Sequence, residues 1–124
     1  MAYTTIDDPA EYFNIVTFTG DGTDDRAITV GFQPDLTWMR QRTDASGGYI
    51  TDAVRGNNAA LQTTNGNAEG TFADMTFTST GITVSGNENL NNEDAHNYVS
   101  FHWKESATAG FDIVSYTGNG SNRT

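Results

Sequence analysis

Apolar and polar side chains alternate in short runs along the chain, and the two clearest runs are residues 13–19 and 97–104. A period of two, in segments rich in β-branched and aromatic residues, predicts β-strands. Shorter runs of the same kind predict further strands at residues 27–30, 36–42, 49–51, 72–78 and 81–85. About eight short strands separated by turn residues predict an all-β fold, an antiparallel β-sandwich of the jelly-roll type.

The connections between these runs predict one hairpin and one helical turn. The glycine-rich loop at residues 20–25 lies between runs 13–19 and 27–30, which predicts that these two strands pair with each other. Residues 52–61 predict a helical turn with Asp52 as its N-cap, although Gly56 and the two asparagines that follow interrupt it.

The first strand occurs twice in the sequence. Residues 13–20 read FNIVTFTG and residues 111–118 read FDIVSYTG, and the likeness continues into the next turn. This spacing is too long for a solenoid and suits an array of small domains. We therefore predict a lead-in or anchor at 1–12, a β-sandwich repeat domain at 13–110, and a terminal strand at 111–124. That strand either starts a second repeat or adds to a sheet edge; the alternative is a chance likeness between two edge strands.

Charge and composition exclude several classes of function. The chain has 124 residues, enough for one modest core, and a net charge of −10 with only 6 Lys and Arg. Binding to nucleic acid or to anionic membranes needs basic clusters, so neither is an expected partner. There is no cysteine, no stretch as long as a transmembrane helix, and no apolar segment of a secretory signal in residues 1–10.

Two acidic clusters invite a metal-binding interpretation. Asp21, Thr23 and Asp25 match the first alternate ligand positions of a calcium loop, but Arg26 stands at the glycine position and Phe32 at the bidentate glutamate position. An EF-hand is thereby excluded, which leaves a solvated hairpin loop or an irregular calcium site. The second cluster consists of Glu88, Glu93 and Asp94. We predict neither a bound metal nor a cofactor.

Catalytic groups are scarce in this sequence. His96 and His102 are the only histidines, neither has a partner at metal-binding spacing, and there is no GxSxG motif. We therefore predict that the protein is not an enzyme, with a metal-dependent hydrolase as a distant alternative. His102 is expected to be a half-buried structural residue, and Arg55 is expected to pair with a nearby carboxylate.

Four large aromatic residues leave two interpretations open. Trp38, Tyr49, Tyr98 and Trp103 lie in or beside predicted strands. In a chain of such low apolar content they are expected to form the core. The alternative is that some of them lie on an exposed face and stack on sugars.

Several segments, taken in order, resemble a family of tailed-bacteriophage structural proteins found notably in marine phages. They are MAYTTIDDP at 1–9, TGDG at 19–22, GFQPDLTWMR at 31–40, DAVRG at 52–56, TFTSTGITV at 76–84 and YVSFHWK at 98–104. The resemblance spans nearly the whole chain. It implies a concanavalin-like β-sandwich, and family members continue into a second copy with a segment like 111–120.

The resemblance implies a location on the virion and a structural role. We expect a non-catalytic capsid decoration or head-fibre protein that contacts capsid or other virion proteins and forms a homo-oligomer. The alternative is a tail-fibre or adhesin module that binds carbohydrate of the host surface. The expected partner contacts come from the lead-in and the terminal strand: Tyr3, Ile6, Tyr12, Phe111, Ile113 and Tyr116.

Overall fold

Almost all regular structure in the chain is β-strand. The computed structural model describes residues 6–44, 47–86 and 90–122. These residues form nine strands: β1 Phe13–Thr19, β2 Arg26–Thr29, β3 Leu36–Gln41, β4 Gly48–Asp52, β5 Gly56–Gln62, β6 Gly70–Thr71, β7 Met75–Thr78, β8 Gly81–Val84 and β9 Asn97–Trp103. A short 3-10 turn, Pro9–Glu11, precedes β1 and begins with Asp8 as its cap. The predicted all-β class is confirmed.

The strands form two antiparallel sheets that face each other. The larger sheet has the order β1-β9-β3-β4-β5-β6, and the smaller sheet has the order β2-β8-β7. Residues from both sheets meet in one core, among them Met39 and Tyr98 from the larger sheet and Ile28 and Ile82 from the smaller one. The predicted β-sandwich is therefore confirmed.

The predicted hairpin between β1 and β2 is wrong. β1 pairs along its whole length with β9, from Phe13 opposite Trp103 to Thr19 opposite Asn97, and β2 pairs with β8 in the other sheet. The loop at 20–25 thus crosses from one sheet to the other. Just beyond β1, the backbone N–H of Gly20 donates to His96 O at 2.7 Å, which continues the contact with the chain that leads into β9.

The predicted helical turn at 52–61 is also wrong, because this segment contains strand β5. Asp52 does accept a hydrogen bond from the backbone N–H of Arg55, at 2.9 Å, as an N-cap would. The chain then turns back at Gly56, whose φ of +106° suits glycine, and pairs with β4. Asp52 therefore stabilises the turn between β4 and β5 and does not cap a helix.

In the central strand β9, the more polar side is the buried one. In β9, Tyr98, Ser100 and His102 are fully buried, whereas Phe101 and Trp103 are only partly covered. The buried set faces the smaller sheet. His102 is thus fully buried, not half-buried as the sequence suggested.

The second copy of the β1 sequence does not form a strand in this structure. Its first residue, Phe111, makes an isolated antiparallel bridge with Ser106. Residues 112–122 have no strand assignment. No helix in the described part of the chain is long and apolar enough to cross a lipid bilayer.

Candidate interaction surface

The side of the larger sheet that faces away from the smaller sheet carries a continuous apolar row. Ile15 of β1 lies opposite Phe101 of β9, and Phe101 lies opposite Trp38 of β3. Trp38 in turn lies opposite Ile50 of β4, which lies opposite Leu61 of β5. Five neighbouring strands therefore each contribute one large apolar side chain at the same level.

A second row beside it widens this surface at one end of the sheet. Phe13, Trp103 and Leu36 are also paired across three strands. The ring centroids of Phe13 and Trp103 lie 5.1 Å apart, and those of Trp38 and Phe101 lie 5.3 Å apart. We call these two rows the outer apolar face. Its residues are Phe13, Ile15, Leu36, Trp38, Ile50, Leu61, Phe101 and Trp103.

The outer apolar face is partly open to solvent. Ile15 and Leu61, at its two ends, are 49% and 41% exposed, and Phe13 is also exposed. The rings in the middle are partly buried by one another. Contiguous exposed apolar patches of this kind mark interaction sites in proteins.

The predicted contact residues at both ends of the chain meet beside this face. Ile6, Tyr12 and Phe111 line one pocket of about 340 Å³ together with Phe13 and Trp103. The rings of Phe111 and Trp103 are stacked with their centroids 6.4 Å apart. Residues of the lead-in and of the terminal segment (residues 111–122) thus lie together at the same end of the outer apolar face.

The remaining predicted contacts lie in a second pocket. Ile113 and Tyr116 line a space of about 230 Å³ next to Asp52 and Arg55, at the end of β4. Tyr3 lies outside the described residues. The structure therefore brings five of the six predicted residues to two pockets, and whether they contact a partner stays a prediction.

Sequence reasoning missed the centre of the surface. Trp38, Phe101, Ile50, Ile15 and Leu61 were not among the predicted contacts. The alternation in residues 97–104 placed Phe101 and Trp103 on one side of the strand, and that was the available signal. It could not show that this side faces away from the second sheet.

The four aromatic residues considered as a sugar platform are divided between the two sides of the sheet. Tyr49 and Tyr98 are fully buried in the core. Trp38 and Trp103 belong to the outer apolar face. The core interpretation therefore holds for the two tyrosines and not for the two tryptophans.

The carboxylate of Asp21 is occupied by hydrogen-bond donors. It accepts from the backbone N–H of Thr23 at 3.0 Å and from the side chain of Asn92 at 2.9 Å. These donors, the Thr23 hydroxyl and nearby Arg26 lower the pKa of Asp21 to about 2. Among the described residues, no three His, Cys, Asp or Glu side chains are grouped as metal ligands would be. Glu88 lies outside the described residues.

Ser100 and His102 belong to a buried polar chain. Thr37 Oγ1 lies 2.9 Å from His102 Nδ1, and His102 Nε2 lies 2.8 Å from Ser100 Oγ. The Ser100 hydroxyl also donates to the carbonyl of Val16 at 3.4 Å. This chain links β1, β9 and β3 inside the sandwich.

Burial of His102 makes stability depend on pH. Desolvation lowers the pKa of His102 from 6.5 to about 4. The unfolded chain therefore takes up a proton before the folded chain does, and stability falls as the pH drops from about 6.5 to about 4. We expect a loss of about 3 kcal/mol in the free energy of unfolding over this range.

Urea denaturation at several pH values measures this dependence. His102→Asn should remove most of the slope between pH 6.5 and 4, whereas His96→Asn should keep it. The contribution of Asp21 lies below pH 3.8, outside this window. Equal slopes in the parent protein and His102→Asn would contradict the assignment.

Comparison with known proteins identifies one family. The family model described as Domain of unknown function (DUF7483) matches residues 8–124, which include both copies of the β1 sequence. None of the curated proteins and none of the solved structures matches the chain.

Proposed function

The chain belongs to the DUF7483 family, and we propose that it is a non-catalytic structural protein on the surface of a tailed-bacteriophage particle. Within that class we propose a capsid decoration or head-fibre role. The resemblance of its segments to phage structural proteins supports the location. The outer apolar face supports attachment to another protein.

The outer apolar face is the observation that carries a role in protein contact. Strands lie about 4.8 Å apart, so a row across five of them is about 19 Å wide. Its partly exposed rings, between Ile15 and Leu61, resemble the apolar centre of a protein interface. No charged residue interrupts the row from Ile15 to Leu61.

Immunogold labelling of intact parent particles tests the proposed location. Label distributed over the head would support a decoration or head-fibre protein. Label confined to the tail would overturn the head assignment and favour an adhesin. The absence of label from all particles would overturn the virion location itself.

The lead-in is the proposed anchor. Ile6 and Pro9 lie in the pocket against Trp103, whereas the core cluster of the described residues draws no member from this segment. Deleting residues 1–8 should therefore leave the melting temperature nearly unchanged but weaken binding to particles by at least about tenfold. Co-sedimentation with stripped particles measures binding, and circular dichroism measures folding. Unchanged binding would show that the anchor lies in another part of the chain.

A second candidate function is binding of host-surface carbohydrate. The observation that favours it is the cluster of rings from Trp38, Phe101 and Trp103 on the outer apolar face. A glycan array with the parent chain would detect such binding, and Trp38→Ala should abolish it. Tyr116→Ala is a matched control, because Tyr116 is an exposed aromatic residue outside these rows.

A further inference from the structure

The terminal segment repeats a local side-chain-to-backbone hydrogen bond of β1 as well as its sequence. In β1, Asn14 Oδ1 accepts from the N–H of Ile15 at 2.9 Å. In the terminal segment, Asp112 Oδ1 accepts from the N–H of Ile113 at 3.0 Å. In each copy, the side chain of the residue after the first phenylalanine thus accepts a hydrogen bond from the N–H of the next residue.

The turn after each copy is also the same. Asp21 Oδ1 accepts from the N–H of Thr23, and Asn119 Oδ1 accepts from the N–H of Ser121, both at 3.0 Å. The glycine within each turn is left-handed, with φ of +67° in the first copy and +74° in the second. Residues 119–121 therefore hold the turn conformation without the loop that surrounds the first copy.

Two apolar side chains of the terminal segment are largely open to solvent. Val114 and Tyr116 are 74% and 75% exposed. Their counterparts in β1, Val16 and Phe18, pack against the core cluster, and the Phe18 ring is stacked 5.1 Å from that of Tyr98. Val114 and Tyr116 thus have the same spacing as Val16 and Phe18 and a similar size, as a replacement for β1 would require.

The terminal segment has a glycine, Gly118, at a position where its own surroundings do not require one. A Cβ atom on Gly20 would lie 2.0 Å from the carbonyl oxygen of Glu93, so the position that follows β1 requires glycine. A Cβ atom on Gly118 would meet nothing within 4 Å. Glycine at position 118 would therefore be required beside the 91–96 loop, whereas the present surroundings of Gly118 would also accept a larger residue.

Acidic side chains lie together at the start of the terminal segment. The carboxyl groups of Glu105 and Asp112 share a hydrogen bond, and Asp35 is close by, which together raise the pKa of Glu105. Three acidic groups therefore meet at the start of the segment.

From these observations we propose that residues 111–121 bind, as a strand, along β9 of a second copy of this chain, in the place of β1. A second copy is favoured over the same chain because of where the segment runs. After Phe111 it passes to Asp52 and Arg55 beside β4, whereas β1 lies on the other side of β9. Such a replacement uses the edge of β9 that β1 already occupies, by the addition of a strand to a sheet edge.

Two differences explain why β1 keeps its place in the isolated chain. The Asn14 side chain donates to the carbonyl of Val30 at 2.7 Å through its amide N–H, and the counterpart Asp112 has no amide N–H to donate there. Asp21 pairs with Arg26 at 3.3 Å, and its counterpart Asn119 is uncharged. The terminal segment should therefore enter when β1 is loosened.

The test loosens β1 and then blocks the terminal segment. Phe18→Ala removes the ring stacked on Tyr98 and should increase concentration-dependent association above that of the parent chain in sedimentation velocity. Phe18→Ala/Gly118→Ala should associate no more than the parent chain, because the Cβ atom added at position 118 would meet the Glu93 carbonyl of the second copy. No increase in Phe18→Ala, or equal association of both variants, would overturn the proposal.

A peptide of residues 110–122 covers the case in which Phe18→Ala does not fold alone. The labelled peptide should bind the Phe18→Ala chain and raise its melting temperature or restore its fold. The Gly118→Ala peptide should bind at least about tenfold more weakly. Equal binding of the two peptides would overturn the proposal. Neither readout depends on a virion, so failure here is distinct from failure of the proposed function.

Discussion

Replacing Gly20 by alanine should lower the free energy of unfolding by about 3 kcal/mol, the upper end of the usual cost of overpacking. The new Cβ atom would lie 2.0 Å from Glu93 O and 2.9 Å from Asn92 C, which are backbone atoms that no rotamer change can move. The N–H and carbonyl of Gly20 are also bonded to the same loop, to His96 O and Ala95 N. Equilibrium urea denaturation measures the loss.

The sequence itself supplies the matched control for this variant. Gly118 occupies the same place in the second copy, where an added Cβ is unobstructed. Gly118→Ala in the otherwise unchanged chain should alter the free energy of unfolding by no more than about 0.5 kcal/mol. Equal destabilisation by the two substitutions would show that the contact between Gly20 and Glu93 is not the cause.

Replacing Arg55 by alanine should cost about 3 kcal/mol, because it leaves a buried carboxylate without its counter-charge. The Asp52 side chain is only 5% exposed and lies 2.6 Å from Arg55 Nη2. It also accepts from Arg55 Nε at 2.6 Å, and Arg55 Nη1 reaches Glu69 at 2.8 Å. These contacts confirm the prediction that Arg55 pairs with a nearby carboxylate.

Two further variants separate the buried charge from general effects of losing an arginine. Asp52→Asn/Arg55→Ala should be more stable than Arg55→Ala, because no charge is then left uncompensated. Arg42→Ala removes an exposed arginine outside this network and should change stability by no more than about 0.5 kcal/mol. If Arg42→Ala cost as much as Arg55→Ala, the ion pair would not explain the loss.

Strand positions were predictable because they depend on neighbouring residues. The alternation in residues 13–19 gave the bounds of β1 as they are observed, and the run at 97–104 ended one residue beyond β9. Strand β5 was missed, because its Gly56 and adjacent asparagines are turn formers when judged locally. Its pairing with β4 outweighs that local preference.

Part of the candidate surface was predictable for the same reason. Ile6, Tyr12 and Phe111 were predicted as contacts because they belong to the lead-in and the terminal strand, and the structure places them in one pocket. Whether they contact a partner stays a prediction. The central row, from Ile15 to Leu61, was not predictable. It exists only because five strands from distant parts of the chain lie side by side in one register.

Local sequence patterns were enough to predict the β class, most strand positions, the repeat of the first strand's sequence and the sets of residues that share a side of each strand. The pairing of strands, in which β1 joins β9 and not β2, became known from the structure. The structure also showed which side of β9 is buried: a polar chain through His102 and Ser100 satisfies its hydrogen bonds internally, and the aromatic side faces outward. Alternation is a local property, whereas burial is set by the sheet that packs opposite.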